Sequence, residues 1–196
     1  MMPKIFLTSD SHFGHDRGFV YEPRGFNSIE EHDTALIERW NSVVSPEDIV
    51  FHLGDVMLGD NEHGMECLRQ LNGTIHIIPG NHDTATRIQL YKTLPNVTVQ
   101  EPTEYGLQPT GGYFKYRKYL FMLTHHPSQT SNLEKSCYLR EHILNIHGHT
   151  HSQKVFEHDI PYAFNCAMDA HNCTPVLLDD AIEMMSEKVK ECIELL

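Results

Sequence analysis

Ile75-His76-Ile77-Ile78-Pro79-Gly80-Asn81-His82-Asp83 is the stretch on which the reading of this chain turns. An apolar run too short for a helix stops at Pro and Gly, the pattern of a buried strand with an abrupt exit. A carboxamide, an imidazole and a carboxylate follow in succession, and polar groups crowded at a core edge cost free energy unless something satisfies them. The same grammar recurs elsewhere: Asp10-Ser11-His12 follows Lys4 to Thr8, Gly54-Asp55 follows Asp48 to Leu53, and Gly148-His149-Thr150-His151 follows Ile143 to Ile146. If those strands lie side by side in one sheet, the polar loops converge at one end of it.

The intervening segments read as helices. Ser28-Ile29-Glu30-Glu31 has capping-box spacing, and Ala35, Leu36, Trp40, Val43 and Val44 behind it share a helical face until Ser45-Pro46 ends the element. Further helices are expected from about Glu62 to Leu71, stopped by Asn72-Gly73, and over Thr84 to Thr93. Strand, loop, helix, strand is the order of an α/β protein with parallel strands. From Asn96 the pattern turns more antiparallel, with strands expected over Asn96 to Gln100, Gly112 to Tyr116, Tyr119 to Thr124 and Ala163 to Met168. A last helix begins at Asp179 or Asp180 and carries Ile182, Met185, Val189, Cys192, Ile193 and Leu196 as a packing stripe. The loop from Phe13 to Asn27 is long and rich in Gly, Pro and aromatics, the profile of a functional loop.

At 196 residues the chain fits one domain, 1–196, with room for a real core. The opening apolar run is too short for a signal peptide and no stretch approaches a membrane span, so a cytoplasmic protein is expected. Cysteines 67, 137, 166, 173 and 192 are odd in number and include no Cys-x-x-Cys pair, which argues against a disulfide framework and against a thiolate zinc site; free thiols in a reducing compartment are expected. A net charge of −12 without a Lys/Arg cluster opposes capture of long nucleic acid. The surplus is in histidine, 15 residues against one Trp, which suggests metal chemistry and leaves position to decide which imidazoles matter.

The polar residues delivered at strand ends are Asp10, His12, Asp55, Asn81, His82, His125, His149 and His151. Carboxylate, carboxamide and imidazole without thiolate suit Mn, Fe, Zn or Co rather than copper(I) or iron–sulfur clusters. Asp83 could orient His82 and favour its charged form. His15 and Arg24, in the long loop, are candidates to touch substrate, Arg24 through its planar fork; His63 and His171 lie in loops that could reach the rim. His126 competes with His125. His52, His76 and His147 stand inside strands, where a hydrogen-bonded core role is expected, and His32, His142 and His158 read as polar surface.

In order, Asp10-Ser11-His12, Gly54-Asp55, Gly80-Asn81-His82-Asp83, His125 and Gly148-His149-Thr150-His151 resemble the motif series of the calcineurin-like metallophosphoesterases. Ser9-Asp10-Ser11-His12-Phe13-Gly14-His15, Trp40-Asn41 and Phe51-His52-Leu53-Gly54-Asp55 look most like a subgroup of small bacterial and phage members. The resemblance implies a four-layer α/β sandwich, two mixed sheets flanked by helices, and a pair of divalent ions. One ion would take Asp10, His12 and His151, the other Asn81, His125 and His149, with Asp55 shared. The expected reaction is hydrolysis of a small phosphomonoester or phosphodiester, nucleotides among the candidates. A hydroxide held between the ions would attack phosphorus while His82 assists the leaving group. A nuclease of the same superfamily and a non-catalytic scaffold are the alternatives; oligomeric state stays open.

Overall fold

The computed structural model describes residues 2–101, 111–128, 138–157 and 160–194; Cys137, His158 and Leu196 lie outside them. In chain order the elements are β1 (Ile5–Thr8), α1 (Gly18–Tyr21), α2 (Ile29–Val43), β2 (Ile49–His52), α3 (Asn61–Arg69), β3 (Thr74–Ile77), α4 (Ala85–Tyr91), β4 (Val97–Val99), β5 (Gly111–Tyr116), β6 (Tyr119–Thr124), β7 (Ile143–His147), β8 (Ala163–Asn165), β9 (Val176–Leu177) and α5 (Leu178–Glu194). They form two mixed sheets with helices packed against them, the expected α/β architecture. The first runs β4-β3-β2-β1-β9 and the second β5-β6-β7-β8. Strands β1 to β4 are parallel and β9 pairs antiparallel to β1. In the second sheet β5 and β6 are an antiparallel hairpin, and β6, β7 and β8 are parallel.

Period-two alternation divides the apolar residues between two cores. Phe6, Val50, Ile75 and Ile77 face Leu36 and Trp40 of α2, Met65 and Leu68 of α3 and Tyr91 of α4. Leu7 and Phe51 face the other way, joining Phe121, Leu144, Ile146 and Phe164 of the second sheet and Ala181, Ile182, Met185 and Val189 of α5. The Phe51 and Phe114 rings, 4.9 Å apart, mark where the sheets meet. Trp40 is fully buried; its indole N–H donates to the Asn72 carbonyl at 3.0 Å, anchoring α2 to the turn after α3.

The convergence expected of the polar loops is achieved differently. Three of them leave β1, β2 and β3 of the first sheet, but Gly148 to His151 leaves β7 of the second. The sheets are stitched at that end. Met168 N–H donates to the Ser9 carbonyl at 3.0 Å, His149 N–H to Asp10 Oδ2 at 2.8 Å, and His125 Nδ1 to the Leu53 carbonyl at 2.7 Å. Two strands packed face to face can thus deliver residues to one spot as well as two neighbours in a sheet.

Local differences have local causes. Ser28 Oγ does accept the Glu31 N–H, at 3.2 Å, but Glu31 reaches back to the Asn27 N–H, one residue before the cap. The long loop contains the single-turn helix α1. The last expected strand stops at Asn165, and Met168–Ala170 turns as a 3-10 helix. His32 and His142 are buried rather than on the surface. His32 is claimed by Asp33 at 2.7 Å and His142 stacks on Tyr162 with ring centroids 3.8 Å apart.

His52, fully buried as expected for an in-strand histidine, contacts Ser11 Oγ at 2.8 Å. Burial, and secondarily the proximity of His125, push its pKa down to about 3. The unfolded chain accepts a proton near pH 6.5 that the native chain refuses, so the unfolded state binds more protons below that pH and stability falls as pH drops from about 6.5 toward 3. The slope from this residue approaches about 1.4 kcal/mol per pH unit. Urea midpoints measured between pH 7 and pH 5 should therefore fall, and His52→Gln, which retains a hydrogen-bonding amide, should flatten the trend.

Candidate metal centre

The backbone announces the site. Asp10, His12, Asp55, His149 and His151 all have left-handed φ, between 50° and 71°. Cβ sterics disfavour that conformation for residues other than Gly, at a cost of roughly 1–3 kcal/mol each, and it persists only where the surroundings over-determine it. Sharp turning directly after a strand swings each side chain back across the sheet end. The close approach also requires glycine: a Cβ on Gly148 would overlap Ser9 Oγ and the Asp10 carboxylate.

The side chains so delivered gather into groups whose ligand atoms lie within 4.8 Å of one another: Asp10 with His12 and His151; Asp10 with Asp55 and His125; His125 with His126 and His149. Asp55 Oδ2 lies between them, 3.7 Å from His12 Nε2 and 3.5 Å from His125 Nε2. Asp10 Oδ2 accepts from Ser9 Oγ and from the His149 N–H, whereas buried Asp10 Oδ1 and His12 Nε2 have no hydrogen-bond partner and face each other at 3.8 Å. With Nδ1–H given to Leu53, His125 Nε2 presents a lone pair, and it faces the Asn81 carboxamide oxygen at 2.9 Å and His149 Nδ1 at 3.2 Å. Acceptors aimed at acceptors in a buried site ask for a cation between them.

Electrostatics point the same way. Burial raises the Asp10 carboxyl, against the pull of His125, Ser9, His151 and His149. Burial drives His12 well below its ordinary value, helped by repulsion from His151 and Arg24, and also lowers His149. Neutral imidazoles are the ligating form, and a divalent cation would relieve the desolvated carboxylate. His151 differs: its hydrogen bond to Asp169, 3.1 Å from Nδ1, raises it and orients Nε2 toward Asp10 Oδ1 at 3.9 Å. His126 is exposed, its ring 4.2 Å from that of His149, so it flanks the group in which His125 is buried.

Two expected contacts do not occur. Asp83 does not meet the His82 imidazole; its buried carboxylate accepts the N–H groups of Asp55 at 2.7 Å, Gly80 at 2.8 Å and Val56 at 3.3 Å, and the Tyr91 hydroxyl at 2.7 Å. A carboxylate so saturated braces two loops and has nothing left for a neighbour. Arg24 is likewise unfree for a phosphate. Its side chain is buried, paired twice with Asp169 (Nη2 at 2.7 Å, Nε at 3.0 Å), and donates to the Asp10 carbonyl at 2.8 Å and to His32 Nε2 at 2.9 Å. Asp169 escaped the sequence reading, although Phe164 to Met168 followed by Asp repeats the apolar-run-then-carboxylate grammar. His171 also turns away from the rim, its Nε2 donating to the Asn165 carbonyl at 2.7 Å.

The mouth is formed by the exposed side chains. His82 stands 3.9 Å from Asp55 Oδ2, and its carbonyl accepts from Arg87 Nη1 at 2.7 Å. His15 lies 3.3 Å from His12, lowered by burial and by the nearness of His82, and packs edge-on against Phe19, which is 73% exposed.

A donor set of carboxylate, carboxamide and imidazole at converging strand ends defines a centre for hard or borderline divalent ions. Residues 3–166 match the calcineurin-like phosphoesterase superfamily domain. The chain belongs to that superfamily, and it is a metal-dependent phosphoric ester hydrolase. It is 31% identical to protein MJ1445 of Methanocaldococcus jannaschii over 95% of this chain and 93% of that one. The Gene 66 protein of Mycobacterium phage D29 is 28% identical over 95% of this chain and 98% of its own length. Among solved structures, protein AQ665 of Aquifex aeolicus superposes with a TM-score of 0.66 at 18% identity, over 93% of this chain and 99% of that one, a likeness of fold. Among the described residues no helix is long and apolar enough to cross a membrane.

Removing one partner of a buried pair leaves the other charge uncompensated, at a cost of about 3–5 kcal/mol. Arg24→Met should therefore lower stability by that order in urea denaturation, while leaving KM for a phosphate ester nearly unchanged. A phosphate-gripping arginine would give the opposite pattern.

Proposed function

We propose that the chain hydrolyses a small phosphomonoester or phosphodiester at a two-ion centre, with Asp10, His12 and His151 holding one ion, Asn81, His125 and His149 the other, and Asp55 both. The observation that carries this reading is the place of Asp55 Oδ2 between two donor groups: the buried, unpartnered His12 Nε2 beside the bare Asp10 Oδ1 on one side, and His125 Nε2 facing Asn81 Oδ1 and His149 Nδ1 on the other. Two divalent ions held there, Mn, Fe, Zn or Co by donor type, would supply Lewis-acid charge for the phosphoryl oxygens and would make hydroxide accessible at neutral pH.

The remaining steps belong to the chain's own side chains. His82, partly exposed beside Asp55 and fixed through its backbone by the Asp55 carboxylate (N–H to Oδ1 2.8 Å) and by Arg87, hydrogen-bonds the ester and hands a proton to the leaving oxygen. Asp83 is a positioning residue: by collecting the N–H groups of Gly80 and Asp55 it sets the spacing between the two loops. Asp169 holds His151 in one tautomer. His15 and Phe19 border the entrance, and the exposed ring of Phe19 offers a stacking face to a planar leaving group such as a base.

His82→Ala should slow turnover of p-nitrophenyl or bis(p-nitrophenyl) phosphate by about 10²–10⁴-fold with metal content near normal. Asp55→Ala should strip the metal, read by elemental analysis. Full activity in either variant would sink the assignment. A screen of phosphate esters, cyclic nucleotides and single-stranded nucleic acid with Mn, Zn, Co and Fe identifies the ester class.

A further inference from the structure

A second, chemically different donor cluster lies away from this centre, between α2 and α3. Asp33 of α2 points its carboxylate at His63 and Cys67 of α3, which are one helical turn apart and so share a face. Asp33 Oδ2 stands 2.8 Å from His63 Nε2 and 3.9 Å from Cys67 Sγ, and His63 Nε2 stands 3.6 Å from Cys67 Sγ. A tetrahedral zinc ion with bonds of about 2.0–2.3 Å spaces an oxygen, a nitrogen and a sulfur roughly 3.3–3.6 Å apart. Shifts of a few tenths of an ångström bring all three donors onto such an ion. Asp33 and Cys67 are buried and His63 is 44% exposed, so the open side of the triangle faces a groove bordered by Glu30, Glu38 and Gln70. That side leaves room for a water as fourth ligand, and the two glutamates add negative charge beside it.

We propose that Asp33, His63 and Cys67 form a mononuclear zinc site with one thiolate ligand. Mixed thiolate, imidazole and carboxylate donors suit Zn. The missing Cys-x-x-Cys pattern excludes only sites built on paired cysteines; here His63 supplies the ligand one turn before Cys67. In the absence of a cation, burial and the charge of Asp33 push the Cys67 thiol up to about 12, and a zinc ion would take the place of that proton. Because Asp33 Oδ2 also accepts the Gly14 N–H at 2.9 Å, two residues beyond His12, the ion would tie α2 and α3 to the loop that carries a candidate ligand.

The test uses cobalt(II) as a spectroscopic stand-in for zinc. The candidate centre described above contains no thiolate, so a sulfur-to-cobalt charge-transfer band in metal-free full-length protein titrated with cobalt(II) reports Cys67 coordination apart from that centre and apart from activity. The band should appear, Cys67→Ser should abolish it and lose one equivalent of zinc, and His63→Gln, at a partly exposed position that folding tolerates, should weaken cobalt binding by at least about 10-fold. No thiolate band at saturating cobalt, or equal zinc content in wild type and both variants, overturns the site.

Discussion

The buried carboxylate of Asp10 is the interaction on which this structure depends. One oxygen is satisfied across the interface between sheets, by the His149 N–H at 2.8 Å and by Ser9 Oγ. The other is left bare in the interior, with His12 and His151 converging on it. A single side chain thus does two opposed things: it fastens β7's loop to β1's loop, and it leaves an uncompensated charge at the junction. A fully desolvated carboxylate with a free oxygen is unfavourable unless a cation meets it. The left-handed turns at Asp10, His12, Asp55, His149 and His151 add strain on the same side of the balance.

What offsets these costs is a set of buried carboxylates that collect loop N–H groups. Asp83 accepts from three of them and from Tyr91. Asp33 accepts from Gly14 and His32, and Asp169 takes the fork of Arg24. These are joined into a chain: Asp33 binds His32 Nδ1, His32 Nε2 accepts from Arg24, Arg24 pairs with Asp169, and Asp169 accepts from His151 Nδ1. Buried polar networks of this kind rigidify when every member is satisfied. The loops can therefore be irregular in dihedral angle and still be fixed in position.

How far the sequence foretold this follows from the range over which each signal acts. Strand ends and helix caps are local, and Ser28, Asn72-Gly73 and the apolar runs declared them within a few residues. The convergence of Asp10, His12, Asp55, Asn81, His125, His149 and His151 was legible because each follows a strand end within four residues, where the turn fixes its direction. Sheet membership was not legible, since β7 looks like its counterparts in the first sheet and only pairing with β6 and β8 assigns it to the second. The braces were misread for a related reason. Asp83 adjoins His82 in sequence, yet consecutive residues in a tight turn point apart, and Arg24 in a Gly- and Pro-rich loop gave no hint of Asp169, 145 residues on.

Exposure carries the last step, because it gives the centre a direction. His12 and His125 are each 2% exposed and form the floor with Asp10 and Asp55. His82 and His151 are 42% and 40% exposed in their side chains and form the wall. These imidazoles, with His15 and the exposed Phe19, lie on the solvent side of that floor and are carried on the segments beyond β1, β3 and β7. The floor is held by backbone-to-carboxylate bonds inside the core, while the wall hangs from loops that tolerate change. On the proposed reading His82 and His151 have work of their own, so it is the outer rim, His15 and Phe19, that is free to vary with the ester, whereas substitutions at the floor disturb the junction of the two sheets along with any chemistry performed there.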